Sequence, residues 1–554
     1  MDLNIRICGE AGQGVQSAGN LLIDVLVAGG LHVFGSQSYM SRVRGGANSY
    51  DVRIADVELS SARETANLMV AFTDEALEHF CHDAGADCLV ISDGDQEREG
   101  SLTLPLTTVA RETGGMAVMV GSVAVGAILA LLGYAPQPAL KLLKTRFARK
   151  GEGVVERNIA CLERGAALVE SRCGSVPGPK GNVDPIGRVY SGSEAVGLGA
   201  AASGVKLVCS YPMSPSTGVF THLAGCADRY GIVVEQAEDE IAAVNMICGA
   251  SYAGVPAMTT TSGGGLALMG EGVSLAGMTE LPILILNSQR PGPATGLPTR
   301  TGQEDLNMAV HSGHGEFPRA VFAPGHLAQC HALTRRALET AHRFQTPAIL
   351  MIDQFLADMQ KNIAALSEEL HPVDRCVVPS PSEDYHRYAI TENGVSPRAL
   401  PGSGPFVITD SDEHTADGHL TEDLAAHLEQ QDKRLRKRRA LLDEALCPET
   451  YPGPAAEVLL CWGSTYGPCR EAVDLLRAAG RDVCMIHFAQ VWPLDARRIA
   501  PLLAGRRIHV VEGNATSQLA GLLRSIGALE DFSPMLRYDG LPFTGQGIAG
   551  RVSQ

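Results

Sequence analysis

The chain runs to 554 residues, 45% hydrophobic but only 19% charged, with a net charge of −17. That length is too great for a single core and calls for three or four domains. The acidic balance argues against a nucleic-acid partner, because a phosphate backbone selects a basic face. The scarcity of charge suits a protein that buries much of its surface, as a subunit interface does.

The fourteen cysteines include no Cys-x-x-Cys pair. Such spacing reads as reduced thiols in the cytoplasm, not as a disulfide framework, and it offers no binding motif for an iron–sulfur cluster. The first residues, MDLNIRICGEAGQG, lack the basic start and apolar core of a secretory signal. They read as a strand, LNIRICG, a glycine-rich turn from Gly9 to Gly14, and then an apolar-periodic helix and a second strand, HVFGSQSY. This strand–helix–strand unit predicts a parallel α/β sheet. Backbone amides of the turn can cradle a phosphate. However, the spacing is Gly-x-x-Gly-x-Gly and no acid ends the second strand, so a tight structural turn explains it equally well.

From Thr113 to Leu140 there is no charge, and the stretch is long enough to cross a bilayer. Its Gly and Ala content and its lack of an aromatic belt predict a helix buried in a soluble domain, with no membrane involved. The first domain is expected to occupy 1–175, followed by a Gly- and Pro-rich linker at 176–187. In 188–360, apolar strands such as VKLVCSYP and LPILILNS alternate with helices, as in a sheet buried on both faces whose ligands collect at the strands' carboxyl ends. Residues 361–455 form a connecting segment with one charged helix, whose Lys433, Arg434, Arg436, Lys437, Arg438 and Arg439 are expected to be solvated or to line an interface. Residues 456–554 form a smaller α/β domain.

Chemistry concentrates in three strings: VCSYPMSPST (208–217), EQAEDEIAAVNMICGASYAG (235–254) and TTTSGGG (259–265). The first ends a strand on a hydroxyl-rich turn that can present Ser214, Ser216 and Thr217 to a ligand. In the second, Glu240 opens a helix of small and apolar residues; an acid there is either a cap and dipole partner or a functional carboxylate.

These strings resemble the alpha region of 2-oxoacid:ferredoxin oxidoreductases. VCSYPMSPST is similar to that family's Tyr-Pro-Ile-Thr-Pro-Ser-Ser signature, and NSQRPGPATGLPTRTGQEDL (287–306) to its Gln-Arg-x-Gly-Pro-Ser-Thr-Gly-x-Pro-Thr loop. SDEHTADGHLTED with QDKRLRKR (411–438), FAQVWPL (488–494) and VVEGNATSQLAGLLR (510–524) resemble later segments, and GEAGQGVQSAG with SRVRGG (41–46) resembles the gamma region. The resemblance implies a fused gamma/alpha subunit of α/β class with several parallel-sheet domains. Its central domain would resemble a thiamine-diphosphate pyrimidine-binding domain, and its last a smaller transketolase C-terminal-like domain.

The resemblance further implies that Glu240 is the carboxylate that activates thiamine diphosphate through its aminopyrimidine, and that Pro212 approaches the same ring. Ser214, Arg290 and Thr295 fall at substrate positions, the arginine fork suiting a carboxylate. Arg44, Gly45 and Gly46 are candidates for coenzyme A. Departures occur at Ser214 (usually Thr), Ala294 (Ser), Ser193 (Asn) and Arg42 (Glu). No Gly-Asp-Gly…Asn diphosphate motif exists; Ser92-Asp93-Gly94-Asp95 is not one. Accordingly no metal site is expected in this chain, and a beta subunit is expected to carry the Mg²⁺–diphosphate pocket and a [4Fe-4S] cluster, in a cytoplasmic dimer of alpha–beta pairs that passes electrons to ferredoxin. The preferred substrate is 2-oxoglutarate; pyruvate or broad specificity, an NAD-dependent dehydrogenase and a non-catalytic scaffold are the alternatives.

Overall fold

The computed structural model describes residues 1–41, 45–172, 176–181 and 186–553. The chain divides into two compact units: Met1–Tyr190 with Asp358–Ala365 and Thr544–Gln546, and Ser191–Ala357 with Leu366–Phe543 and Gly547–Gln554.

The first unit is built on an eight-stranded sheet in the order Leu102–Leu104, Ala84–Asp93, Ala66–Ala71, Asp2–Ala11, Gly45–Ala55, His32–Ser38, Gln360–Ile363, Arg188–Ser191. The sheet is mixed where the sequence predicts a parallel one. Gly45–Ala55 lies between Asp2–Ala11 and His32–Ser38 and is antiparallel to both. Few residues separate His32–Ser38 from Gly45–Ala55, and so short a connection permits only antiparallel pairing. The sequence pattern of a strand with small residues does not reveal that insertion. Arg6, in the middle of the first strand, is buried and is held by Asp51 through Nε at 2.7 Å and by Asp83. A buried guanidinium requires such partners.

The uncharged stretch forms the helix Val120–Leu131, buried nearly all round. Glycines let it approach the helix Glu152–Glu170 backbone to backbone. A Cβ on Gly126 would lie 1.9 Å from the Leu162 carbonyl oxygen, and one on Gly165 2.0 Å from that of Val123. Ser122 donates to Asn158 Oδ1 at 2.7 Å, which satisfies a polar group in this interface. Among the described residues no single helix is long and apolar enough to cross a membrane, and the pair Leu106–Gly114 and Ala117–Leu131 is bent by 115°.

The second unit contains two sheets. Seven strands run Gln490–Trp492, Ala320–Phe322, Ala348–Asp353, Leu284–Gln289, Ala257–Thr261, Leu207–Ser210, Val233–Gln236, all parallel except the first. Five strands run Glu449–Tyr451, Val483–Phe488, Glu457–Trp462, Arg507–Glu512, Ser533–Leu536, again parallel except the first. One apolar core, from Ile247 and Ile285 to Trp462 and Val510, is continuous through both.

The charged helix, Leu424–Asp443, departs from expectation. It is not simply solvated: Lys433, Arg434 and Lys437 are buried, whereas Arg436, Arg438 and Arg439 are exposed. Lys433 Nζ lies 2.6 Å from Glu280 Oε1 and Lys437 Nζ 2.5 Å from Glu280 Oε2, while Arg434 forks onto Glu413 at 3.0 and 2.7 Å. The buried cations have carboxylates to face, which makes their desolvation tolerable. Burial alone would raise the Glu280 carboxyl, but Lys437, Lys433 and Arg387 outweigh it and hold it at about 2.

Candidate active site

The carboxyl ends of the parallel strands gather the residues that the sequence singled out. Val233–Gln236 leads within four residues to the helix Glu240–Tyr252. Capping of that helix falls to Asp239, whose side chain accepts from the Ala242 amide at 2.7 Å. Glu240 is therefore not spent on the cap, although it sits in the first turn, where the helix field favours an anion. Its side chain is only 3% exposed, and its Oε1 has no hydrogen-bond partner among the described residues. A buried carboxylate oxygen without a partner is costly and rare in a native fold.

The space beside Glu240 is maintained by glycine. A Cβ on Gly265 would lie 2.0 Å from Thr261 Oγ1, 2.6 Å from Glu240 Cγ and 2.8 Å from its Oε1. The Thr-Thr-Thr-Ser-Gly-Gly-Gly run thus ends a strand at Thr261 and passes a side-chain-free backbone over the acid.

On the neighbouring strand Leu207–Ser210, Ser210 Oγ accepts from Thr260 N at 2.9 Å and so ties the two strand ends together. The chain then turns through Tyr211 and half-buried Pro212 to Ser214, which is exposed. Arg290, one residue past Leu284–Gln289, donates from Nη1 to the Ser214 carbonyl at 2.7 Å. The structure thus brings Ser214 and Arg290 together. Burial pushes the Arg290 guanidinium below its usual value, against the opposing charge of Asp305.

Beyond Arg290 the loop exposes Thr295, flanked by Ala294 at φ 55° and by Gly296, where a Cβ would lie 1.8 Å from the Pro291 carbonyl oxygen. The loop's far end is clasped by Gln303. Its Nε2 donates to the Trp462 carbonyl at 2.8 Å, its Oε1 accepts from Gly513 N at 2.8 Å, and its carbonyl accepts from Asn514 Nδ2 at 3.1 Å.

Asp305 follows, and sequence reasoning passed over it. Asn287 Nδ2 donates to its Oδ2 at 3.1 Å, and its backbone amide donates to Gln289 Oε1 at 3.2 Å. Burial raises its carboxyl to about 6; the Asn287 bond and Arg290 oppose the rise and Glu304 adds to it. The available signal was a strand, LPILILNSQ, whose Asn287, Ser288 and Gln289 are polar yet buried.

In the first unit, Gly45 and Gly46 take φ of 72° and 78°, whereas Arg44 lies outside the described residues. The glycine-rich turn is closed by Gln13, whose Oε1 accepts from Glu10 N at 2.7 Å. Asp93 accepts from Thr107 N at 3.0 Å, at the start of a helix. The intervening strand Gly45–Ala55 also departs from a dinucleotide fold, in which the first two strands lie side by side. A cleft of about 860 Å³ in the second unit is lined by Ile241, Asn245, Leu268, Met278 and Phe317, and by none of the candidate site residues. No group of three or more His, Cys, Asp or Glu able to hold a metal ion occurs among the described residues.

Past the carboxyl ends of the parallel strands the second unit thus holds a buried acid with an uncommitted oxygen, and an arginine bonded to a backbone carbonyl. Residues 198–433 match the family model described as pyruvate flavodoxin/ferredoxin oxidoreductase, thiamine diphosphate-binding, and residues 4–168 match that of pyruvate ferredoxin/flavodoxin oxidoreductase. A structure titled 2-oxoglutarate:ferredoxin oxidoreductase from Magnetococcus marinus, with 2-oxoglutarate, coenzyme A and succinyl-CoA bound, is 32% identical. It superimposes with a TM-score of 0.92 over 100% of this chain and 99% of that one. The 2-oxoacid:ferredoxin oxidoreductase 2 alpha subunit of Aeropyrum pernix is 29% identical over 100% of this chain and 98% of its own length. The 2-oxoglutarate oxidoreductase subunit KorA of Mycobacterium tuberculosis is 27% identical over 99% and 92%. The chain belongs to the 2-oxoacid:ferredoxin oxidoreductase family.

Proposed function

We propose that this chain is the fused gamma/alpha subunit of a 2-oxoglutarate:ferredoxin oxidoreductase, which converts 2-oxoglutarate and coenzyme A to succinyl-CoA and CO2 while two electrons pass to ferredoxin. The observation that carries this reading is the buried Glu240 oxygen, left without a partner under a glycine backbone. These residues fit the aminopyrimidine of thiamine diphosphate: Glu240 shares a proton with a ring nitrogen, and Pro212 packs on the ring face. When bound, the cofactor supplies the electron sink for decarboxylation. Arg290 pairs with the substrate carboxylate, steadied by the Ser214 carbonyl, and exposed Ser214 and Thr295 offer it hydroxyls. The coenzyme A role falls to Gly45 and Gly46, beside the candidate Arg44 that lies outside the described residues. The substrate choice is supported by the likeness to the Magnetococcus marinus enzyme.

A beta subunit completes the site with Mg²⁺, the diphosphate pocket and a [4Fe-4S] cluster, as a cytoplasmic dimer of alpha–beta pairs. Exposed Tyr211, Ile241, Met246 and Leu268, two of them on the helix that Glu240 opens, support a partner for this chain, and the described cysteines are all free, as a reducing compartment requires. The complex with its cognate beta subunit, assayed with a panel of 2-oxoacids, coenzyme A and ferredoxin, is expected to give the highest kcat/KM with 2-oxoglutarate and no turnover from either chain alone. A preference for pyruvate, or decarboxylation by this chain unaided, would overturn the assignment.

A further inference from the structure

Arg290 makes no salt bridge among the described residues; its one hydrogen bond runs to a backbone carbonyl. The carboxylate whose charge reaches it is Asp305. Asp305 is fixed by the strand that leads directly into Arg290, since Asn287 holds its Oδ2 and Gln289 holds its amide. On its other side it abuts the glycine run, where a Cβ on Gly263 would lie 2.4 Å from Oδ1 and 2.5 Å from Oδ2. No side chain separates Asp305 from that backbone, which two residues later covers Glu240.

We propose that Asp305 is a positioning residue whose charge sets how firmly Arg290 can hold the substrate carboxylate, a role that rests on the clamp reading of Arg290 given above. Ionised, Asp305 draws on the positive field of Arg290 and competes with the incoming carboxylate. Protonated, it leaves that field to the substrate and keeps its bond from Asn287. The charged groups facing Asp305 are Arg290 at the strand end and Glu304 on its own segment; Asn287, Gln289 and Gly263 are neutral. Its titration near 6, raised by burial, lies within the working range of an enzyme. An anion bound at Arg290 raises it further, so substrate binding takes up a proton.

The test uses the reconstituted complex with 2-oxoglutarate, an anion throughout the range examined. From pH of about 5.5 to about 7.5 the apparent KM of the wild type is expected to rise roughly twofold to sixfold, the effect of a coupling of half to one pKa unit on a group near 6. Asp305→Asn keeps an oxygen for Asn287 but carries no charge, so its KM is expected to stay low and flat while kcat changes little. Should that variant not fold, proton uptake by the wild type on binding 2-oxoglutarate without coenzyme A, read by calorimetry in two buffers of different ionisation enthalpy, decides instead; zero uptake overturns the proposal. If the wild type consumes no 2-oxoacid, the functional reading falls and this role with it. If Arg290→Lys leaves KM unchanged at every pH, the clamp falls and Asp305 with it. If both of those readings survive while the Asp305→Asn and wild-type KM profiles superimpose, Asp305 alone is refuted.

Discussion

Glu240 and Glu280 are both buried acids of the second unit, and their surroundings treat them in opposite ways. Glu280 meets two lysines, each within hydrogen-bonding distance of one of its oxygens, and its carboxylate is compensated on the spot. Glu240 has an oxygen with no partner, under a backbone kept bare by Gly265. The first acid fastens the helix Leu424–Asp443 to the domain. The second is left open at a cost to the fold, which the proposed chemistry at Glu240 would account for. Both acids are buried; what separates them is a pair of lysines at Glu280 and, among the described residues, no ion pair at Glu240.

Four substitutions test that contrast, in descending size of effect. Glu240→Gln is expected to lower turnover of the complex by about 10²–10⁴-fold, the range for a lost acid–base group, with unfolding unchanged; near-normal proton exchange at the cofactor's C2 would return Glu240 to a structural role. Glu280→Gln is expected to do the reverse, destabilising the chain by about 3–5 kcal/mol because two buried ammonium groups lose their counter-charge, while the molecules that remain folded turn over normally. The sign of its pH dependence follows from the depressed carboxyl. The contribution of Glu280 is complete above its unfolded value of 4.5 and is lost as pH falls toward about 2, so acid unfolding should begin at higher pH in the variant.

Gly265→Ala places a methyl group against Thr261 and Glu240. It is expected to displace the acid and cost on the order of 10–100-fold in turnover, with only a modest loss of stability; normal kinetics would mean that the space above Glu240 is not used. Arg290→Lys keeps the charge but loses the fork, and should raise KM for 2-oxoglutarate by about tenfold with thiamine diphosphate affinity unchanged. An unaltered KM for every 2-oxoacid would leave Arg290 as a loop anchor.

The parallel sheets were legible because runs such as VKLVCSYP and LPILILNS are apolar without alternation, as strands covered on both faces must be. The glycine run and Glu240 were legible as a strand end and a helix start. The antiparallel strand Gly45–Ala55 was not, since pairing direction depends on connections and not on the strand's own residues. Nor were the buried cations of Leu424–Asp443: the acid that neutralises Lys433 and Lys437 lies about 150 residues earlier, and no local pattern announces a pairing at that distance. Asp239 and Glu240 are adjacent acids at one helix start, and only geometry divides the capping role from the open one. Asp305 was missed for a similar reason, because its surroundings come from Asn287 on an earlier strand and Arg290 just past that strand's end.

The clasp around Gln303 imposes an order in time on the making of this protein. Its partner Gly513 stands 210 residues further along the chain, so at a synthesis rate of about 5–20 residues per second the ribosome needs roughly 10–40 s to produce it. Through that interval the loop bearing Thr295 has been made but lacks the bonds that Gly513 and Asn514 give to Gln303. The loop bearing Thr295 is therefore among the last parts of the second unit to settle, although it is encoded near the middle of the gene. A nascent chain arrested before Gly513 should leave the loop more open to protease than the full-length chain does.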